Sequence, residues 1–392
     1  LKRIATTLLS HVRRLSAEIG PRPIGSPANQ AAADYLRDRF LTAGLAVEEQ
    51  PYTCTAWEHE STALCLEGEP LPAAANAFSL PGEVRAPFVP VCTLAELEAA
   101  EITGKIVLFY GDLVQAPLAP KSWFLLGDRD RQVIELLERK RPAALLAPPA
   151  ATAEYGQLTE DWELDLPAAT LPLEAVRQLL RRPAACLELN LRARRSPATA
   201  RNIVARKAGP GGKKVVLMAH FDTKIDTPGA TDNAAGAGVL LGLAQTLAGK
   251  DLPFGLEFVA FNGEEYLPIG DDEYLRRGEA DFPNILAALN FDGVGAALGA
   301  TSLTALSAPA ELEAQVKALA ARHPAVVWVE PWPESNHSTF ALRGVPALAF
   351  GSVGARRLAH SPADTFEQVS EAKLAEPCQL ATEIVTALGE NP

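Results

Sequence analysis

The chain has 392 residues, 48% of them hydrophobic and 21% charged, with a formal net charge of -12. Length and composition imply two or three domains with real cores and exclude wholesale disorder. The acidic balance argues against binding nucleic acid or an anionic membrane surface. The longest apolar runs, such as residues 142–152, are broken by proline, well short of the ~20 residues that span a bilayer.

Residues 1–52 open with a helical repeat, Ile4, Leu8, Leu9, Val12 and Leu15 sharing one face. A turn follows at Gly20-Pro21-Arg22-Pro23-Ile24-Gly25-Ser26-Pro27. Ala31 to Ala43 then reads as an amphipathic helix ended by Gly44, and Leu45 to Tyr52 as a strand. Residues 54–196 are rich in Pro and Ala. Their short apolar runs, Lys105 to Phe109 and Ala143 to Ala147, flank a helix-like stretch from Arg131 to Arg139. This segment is expected to be a smaller inserted domain, α/β or β-rich, between the two parts (1–53 and 197–392) of a discontinuous main domain.

From Asn202 onward, strands and helices alternate. Strands are expected at Lys214 to Ala219, Leu256 to Phe261, Ile285 to Phe291, Val326 to Val329 and Ala347 to Phe350. Ala234 to Leu247 reads as a helix whose small residues (Gly236, Gly238, Gly242) suit close helix–sheet packing. Continuous apolar strands between helices imply an α/β fold, with a mixed, mostly parallel central sheet covered by helices on both faces. Functional side chains in such sheets gather beyond the carboxyl ends of the strands.

The residues just past those ends carry the chemistry. The first strand runs into His220-Phe221-Asp222, and a loop leads to Thr231-Asp232-Asn233. The next ends in Asn262-Gly263-Glu264-Glu265, the third in Asn290-Phe291-Asp292, and His360-Ser361-Pro362-Ala363-Asp364 lies near the C-terminus. Imidazoles and carboxylates converging on one rim are the donor set that Zn²⁺ and similar ions prefer.

Each group alone has a plainer reading. His220 could be a hydrogen-bonded core residue, Asp232 a helix N-cap, Asp364 a cap or surface group, and Asp271-Asp272-Glu273 a solvated loop. Joint placement favours a metal site. Strand alternation puts Asp222 on the face of His220, where its carboxylate can hold the far ring nitrogen. There is no HExxH and no GxSxG. The five cysteines (Cys54, Cys65, Cys92, Cys186 and Cys378) form no CxxC pair. Free thiols are therefore expected, and with them a reducing compartment such as the cytoplasm; a leader removed ahead of residue 1 would make the chain secreted or periplasmic instead.

In order, these motifs resemble the co-catalytic zinc aminopeptidases, a family that includes bacterial leucyl aminopeptidases, aminopeptidase Y, glutamate carboxypeptidase and the glutaminyl cyclases. The stretches that carry the resemblance are Ile19 to Pro23, Ala219 to Thr223, Gly229 to Gly236, Phe261 to Glu265, Asn290 to Asp292 and His360 to Thr365. The segments Gly104 to Phe109 and Leu166 to Thr170 look like a diverged protease-associated domain. The resemblance implies two Zn²⁺ per chain, with Co²⁺ or Mn²⁺ as substitutes. One ion would be held by His220 and Asp292, the other by Glu265 and His360, with Asp232 bridging both and followed by a cis peptide. It further implies Asp222 as support for His220 and Glu264 as general base, acting on peptides with a free N-terminus.

His337 is open to two roles, oxyanion binding or ordering of its loop. Asn336 stands where the family often has aspartate, and Ala359 where the cyclases usually have tryptophan before the last ligand. Both departures argue against a glutaminyl cyclase. The complete ligand set argues against a catalytically inactive binding module of the same fold.

Overall fold

In the computed structural model of the chain, the strand Lys214–His220 sorts its side chains by parity. Val215, Leu217 and Ala219 enter one hydrophobic core, Val216 and Met218 another. Successive residues of a strand point to opposite faces, so a run that is apolar at every position belongs to a sheet covered on both sides. The structure describes residues 2–390 except 124, 152–155, 184 and 355–357; the side chains of residues 2–5, Ile4 among them, lie outside the described set.

The chain divides into two compact units, Leu1–Cys54 with Ala198–Pro392, and Thr55–Pro197. In the first, four strands run parallel in the order Ala347–Val353, Ile285–Phe291, Lys214–His220 and Gly255–Phe261. Antiparallel neighbours flank them: Ala300–Leu306 beside Ala347–Val353, and residues 203–207 beside Gly255–Phe261. The short strand Val326–Trp328 pairs with Ala300–Leu306. All four parallel strands therefore end at the same rim.

The larger core lies under the helices Lys2–Val12, Pro27–Thr42, Ala235–Leu247 and Glu371–Glu390. The smaller core lies under Ile269–Gly278 and His337–Ala341, where Tyr274 and Phe340 meet Val216, Met218 and Val259. The helix Pro27–Thr42 starts four residues before the expected Ala31. Ser26 caps it by accepting the Asn29 N–H, and Pro27 suits a first turn whose N–H groups are free.

Ala300–Leu306 is a further, buried strand outside the expected set. One expectation needs correction. The small residues Gly238 and Gly242 serve helix–helix packing, not helix–sheet packing. A Cβ at Gly242 would lie 2.2 Å from Leu8 Cδ2, and one at Gly238 would lie 3.3 Å from the Leu8 carbonyl, both on the first helix. Gly236 alone faces the sheet: a Cβ there would lie 2.2 Å from the Phe291 carbonyl.

The unit Thr55–Pro197 is α/β. Gly82–Val91, Ile106–Phe109, Ala144–Ala147 and Ala168–Thr170 run parallel in that order. Helices Leu94–Ala99 and Asp128–Lys140 bury Leu97, Val133, Ile134 and Leu137 on one face, and Leu173–Leu180 buries Val176 and Leu179 on the other. All five cysteines are free, and Cys378 is buried. Among the described residues, no helix is long and apolar enough to cross a membrane.

Candidate metal centre

Seven of the eight residues singled out in the sequence meet at the strand rim. His220 ends its strand. Asp232 sits in the turn Ala230–Ala234, where it and Asn233 leave helical geometry and the peptide between them is cis. Glu264 and Glu265 follow Gly263, whose φ of 88° turns the chain at the end of Gly255–Phe261. Asp292 follows Ile285–Phe291.

His220 Nε2 lies 3.2 Å from one Asp232 oxygen, 3.5 Å from Asp292 and 3.8 Å from Glu264. The other Asp232 oxygen lies 3.1 Å from His360 Nε2, which is 3.2 Å from Glu265. Asp232 thus presents one oxygen to each histidine. Two sets of donors, His220 with Glu264 and Asp292, and His220 with Asp232 and Glu265, converge to within 4.8 Å of one another.

The electrostatics are those of a site short of positive charge. Burial alone would lower the His220 pKa, but Glu264, Asp222, Asp232 and Asp292 together raise it well above the imidazole range. Burial would raise Asp232; contacts with His220 and His360 instead hold it far below the usual carboxylate range. Glu264 is pushed well up, by burial first and then by Asp292, Glu265 and Asp232, with His220 pulling the other way. Both ring nitrogens of His220 and Glu265 Oε1 are buried without a hydrogen-bond partner. Buried polar atoms are rarely left so, because each lost hydration partner costs about 1–3 kcal/mol.

Asp222 is fully buried and accepts the N–H groups of Glu264 and Glu265, both at 3.2 Å. One of its oxygens also stands 3.5 Å from His220 Nδ1, so the same carboxylate touches the histidine strand and the glutamate turn. Asp364 is neither a surface group nor a donor to the cluster. It is fully buried and accepts the Thr231 N–H, the Thr231 hydroxyl and the Asp232 N–H, so it caps the aspartate turn from a distant segment.

His337 stands beside the cluster and is wholly buried. Its Nε2 lies 2.7 Å from the Trp332 carbonyl and its Nδ1 3.3 Å from Asn290 Nδ2. A carbonyl only accepts, which assigns the proton to Nε2; Nδ1 then accepts from the amide. Burial lowers its pKa, so both nitrogens of a neutral ring are engaged in holding residues 332–337 against the strand.

The acidic run 271–273 is not a solvated loop. It lies in the helix Ile269–Gly278, with Asp271 and Glu273 buried. Asp271 accepts from Asn336 Nδ2 at 2.7 Å and from the Thr339 hydroxyl at 2.6 Å, and burial raises its pKa to about 7. Two groups around the site have no role in the sequence motifs, Arg22 and the Asn29–Asn262 pair, although Arg22 and Asn262 lie inside stretches that carry the resemblance.

Residues 202–385 match the sequence profile described as Peptidase family M28. The chain is 26% identical over 309 residues to the "Probable lipoprotein aminopeptidase LpqL" of Mycobacterium tuberculosis, covering 74% of this chain and 59% of that protein. It is 24% identical over 302 residues to "Aminopeptidase YwaD" of Bacillus subtilis, covering 73% and 61%. The chain thus spans about three-fifths of the length of these relatives. Among solved structures, BSAP, a zinc aminopeptidase from Bacillus subtilis, superposes with a TM-score of 0.80 at 21% identity, over 98% of this chain and 95% of that one.

Proposed function

Because the chain belongs to peptidase family M28, we propose that it is a zinc-dependent aminopeptidase that removes the N-terminal residue of peptides at a centre of two ions. The observation that carries this reading is the split of the Asp232 carboxylate, one oxygen toward His220 and the other toward His360. The names of LpqL and YwaD supply the aminopeptidase direction.

The residues fit such ions. Two imidazoles and several carboxylates are a zinc donor set, and the orphaned nitrogens of His220 and the orphaned oxygen of Glu265 are atoms a cation would satisfy. His220 and Asp292 would hold one ion, Glu265 and His360 the other, and Asp232 both. When bound, the pair supplies Lewis acidity for the scissile carbonyl and for water.

The chain's own groups do the rest. Glu264 takes the proton of the attacking water and returns it to the leaving amine. Burial first, and then crowding by neighbouring carboxylates, raises its pKa above that of a free glutamate. Asp222 fixes the backbone of both glutamates and faces His220. His337 orders the wall of residues 332–337 rather than meeting substrate. The side chains of Glu264, Asp292 and Asp232 remain 21%, 16% and 13% exposed, which leaves one side of the cluster open to a peptide.

The test is hydrolysis of aminoacyl chromogenic substrates by the full chain. Cleavage abolished by a chelator and restored by zinc is expected. Peptide binding with no cleavage in zinc would instead favour a binding module, and cyclisation of N-terminal glutamine would favour a glutaminyl cyclase.

A further inference from the structure

Arg22 is wholly buried, yet among the described residues no carboxylate lies within ion-pair distance of it. Its donors go to backbone carbonyls. Nε donates to Phe221 O at 2.7 Å, Nη1 to Pro228 O at 2.7 Å, and Nη2 to Gly229 O at 2.9 Å. Nη1 also reaches Leu15 O and Gly20 O at 3.2 and 3.1 Å. The Arg22 N–H donates to the Thr223 hydroxyl at 2.9 Å.

These partners have a pattern. Phe221 directly follows His220, and Gly229 precedes Asp232 by one short turn. One guanidinium thus grips both ends of the loop 221–229, whose flanks carry the residues facing each other at the centre. The loop is packed as tightly as it is tied. Gly229 has a φ of 58°, and a Cβ there would lie 2.4 Å from the Asp232 carbonyl and 2.3 Å from Thr223 Cγ2.

The same N-terminal turn also reaches the glutamate loop. The Arg22 carbonyl accepts from Asn29 Nδ2, and the Asn29 and Asn262 amides bond reciprocally, both at 2.9 Å. Asn262 leads into Gly263-Glu264. Burial lowers the Arg22 pKa to about 10, sustained by the fields of Asp364, Asp222, Glu265 and Asp232, so the group stays charged at neutral pH. A carbonyl-solvated cation that faces four carboxylates without touching them opposes their mutual repulsion while its hydrogen bonds fix backbone geometry.

We infer that Arg22 is a positioning residue for the metal centre. It holds the His220 and Asp232 backbones at the separation the ions need and supplies a fixed positive charge behind the carboxylates. This rests on the zinc reading above.

The experiment measures zinc affinity of the full chain by competition with a chromophoric chelator, alongside circular dichroism of the metal-free protein. Arg22→Met removes charge and fork, whereas Arg22→Lys keeps the charge. With the dichroism unchanged, Arg22→Met is expected to weaken zinc about 100-fold and Arg22→Lys about tenfold, in the range of changes to groups that orient metal ligands. Activity at saturating zinc should lose kcat with KM nearly constant.

Wild-type affinity in Arg22→Met, or weakening that merely tracks loss of dichroism, overturns the inference. Should both variants fail to fold, Thr223→Val, which removes only the Arg22 N–H bond, decides: a several-fold weaker zinc affinity supports the inference and an unchanged one overturns it. A wild-type chain that binds no zinc fails the metallopeptidase reading itself, and this inference with it. A zinc-loaded wild type with an indifferent Arg22 fails this inference alone.

Discussion

Asp364 accepts the backbone N–H of Asp232 at 3.0 Å, joining a C-terminal segment to the turn that presents the Asp232 carboxylate. Two further donors from Thr231 complete the cap. Asp364→Asn would turn an amide NH₂ toward those donors and leave at least one unpaired. An unsatisfied buried donor costs about 1–3 kcal/mol. The variant is expected to lower the midpoint of urea unfolding and to weaken zinc about tenfold. Wild-type values for both would show that the cap is incidental.

Glu264 is the group whose removal should separate binding from chemistry. Glu264→Gln keeps the shape of the side chain and, because Glu264 is not among the proposed ligands, should keep the zinc content. General base catalysis contributes typically about 10²–10⁴-fold, and kcat should fall by that order with little change in KM. Metal analysis paired with steady-state kinetics checks this. A variant that keeps both zinc and kcat removes Glu264 from the mechanism.

Asp271 makes a pH prediction. Its carboxyl is raised from 3.8 to about 7 by burial, with Asn336 and Thr339 donating to it. A carboxyl whose folded pKa exceeds its unfolded value binds protons preferentially in the native state. Its contribution to stability is therefore greatest near pH 4 and is lost as pH rises toward 7. At pH 8 the buried charge should weigh against folding by roughly 4 kcal/mol at most. Asp271→Asn should flatten the stability profile between pH 4 and 7 and raise Tm at pH 8. Asn336 Oδ1, buried and unpartnered, is available to accept from the new amide. A lower Tm at pH 8 would contradict this.

Gly242 and Leu8 fit one another across two helices. A methyl at Gly242 would collide with Leu8 Cδ2; such overpacking costs about 1–3 kcal/mol, while Leu8→Ala alone costs about 2–5 kcal/mol through the cavity it leaves. In Gly242→Ala with Leu8→Ala, the added methyl occupies part of that cavity. Denaturant unfolding of the two single variants and the double should therefore show a loss smaller than the sum. Strict additivity would mean the contact does not govern this packing.

The rim chemistry was legible because strand order and strand ends are written locally, in apolar runs each followed by a polar residue. His220, Glu264 and Asp292 follow that rule directly. The strand Ala300–Leu306 escaped notice because Thr301, Ser302 and Thr304 interrupt its apolar pattern; all three are nonetheless buried, and Thr301 donates to Glu376 from the C-terminal helix. Asp271 and Glu273 read as solvated because their partners are remote or lie on the helix's far end: Asn336 and Thr339 for the first, Arg276 and Arg277 for the second. The role of Arg22 was invisible for a different reason. Its partners are backbone carbonyls, which carry no sequence signature. The partner of Gly242 was mistaken because small residues signal close approach without saying what approaches.

Crystals of the zinc-loaded full chain, with anomalous differences measured at the zinc edge, test the central claim most directly. Two peaks are predicted, one against His220 and Asp292 and one against Glu265 and His360, with an Asp232 oxygen at each. A single peak, or none within reach of Asp232, would contradict it.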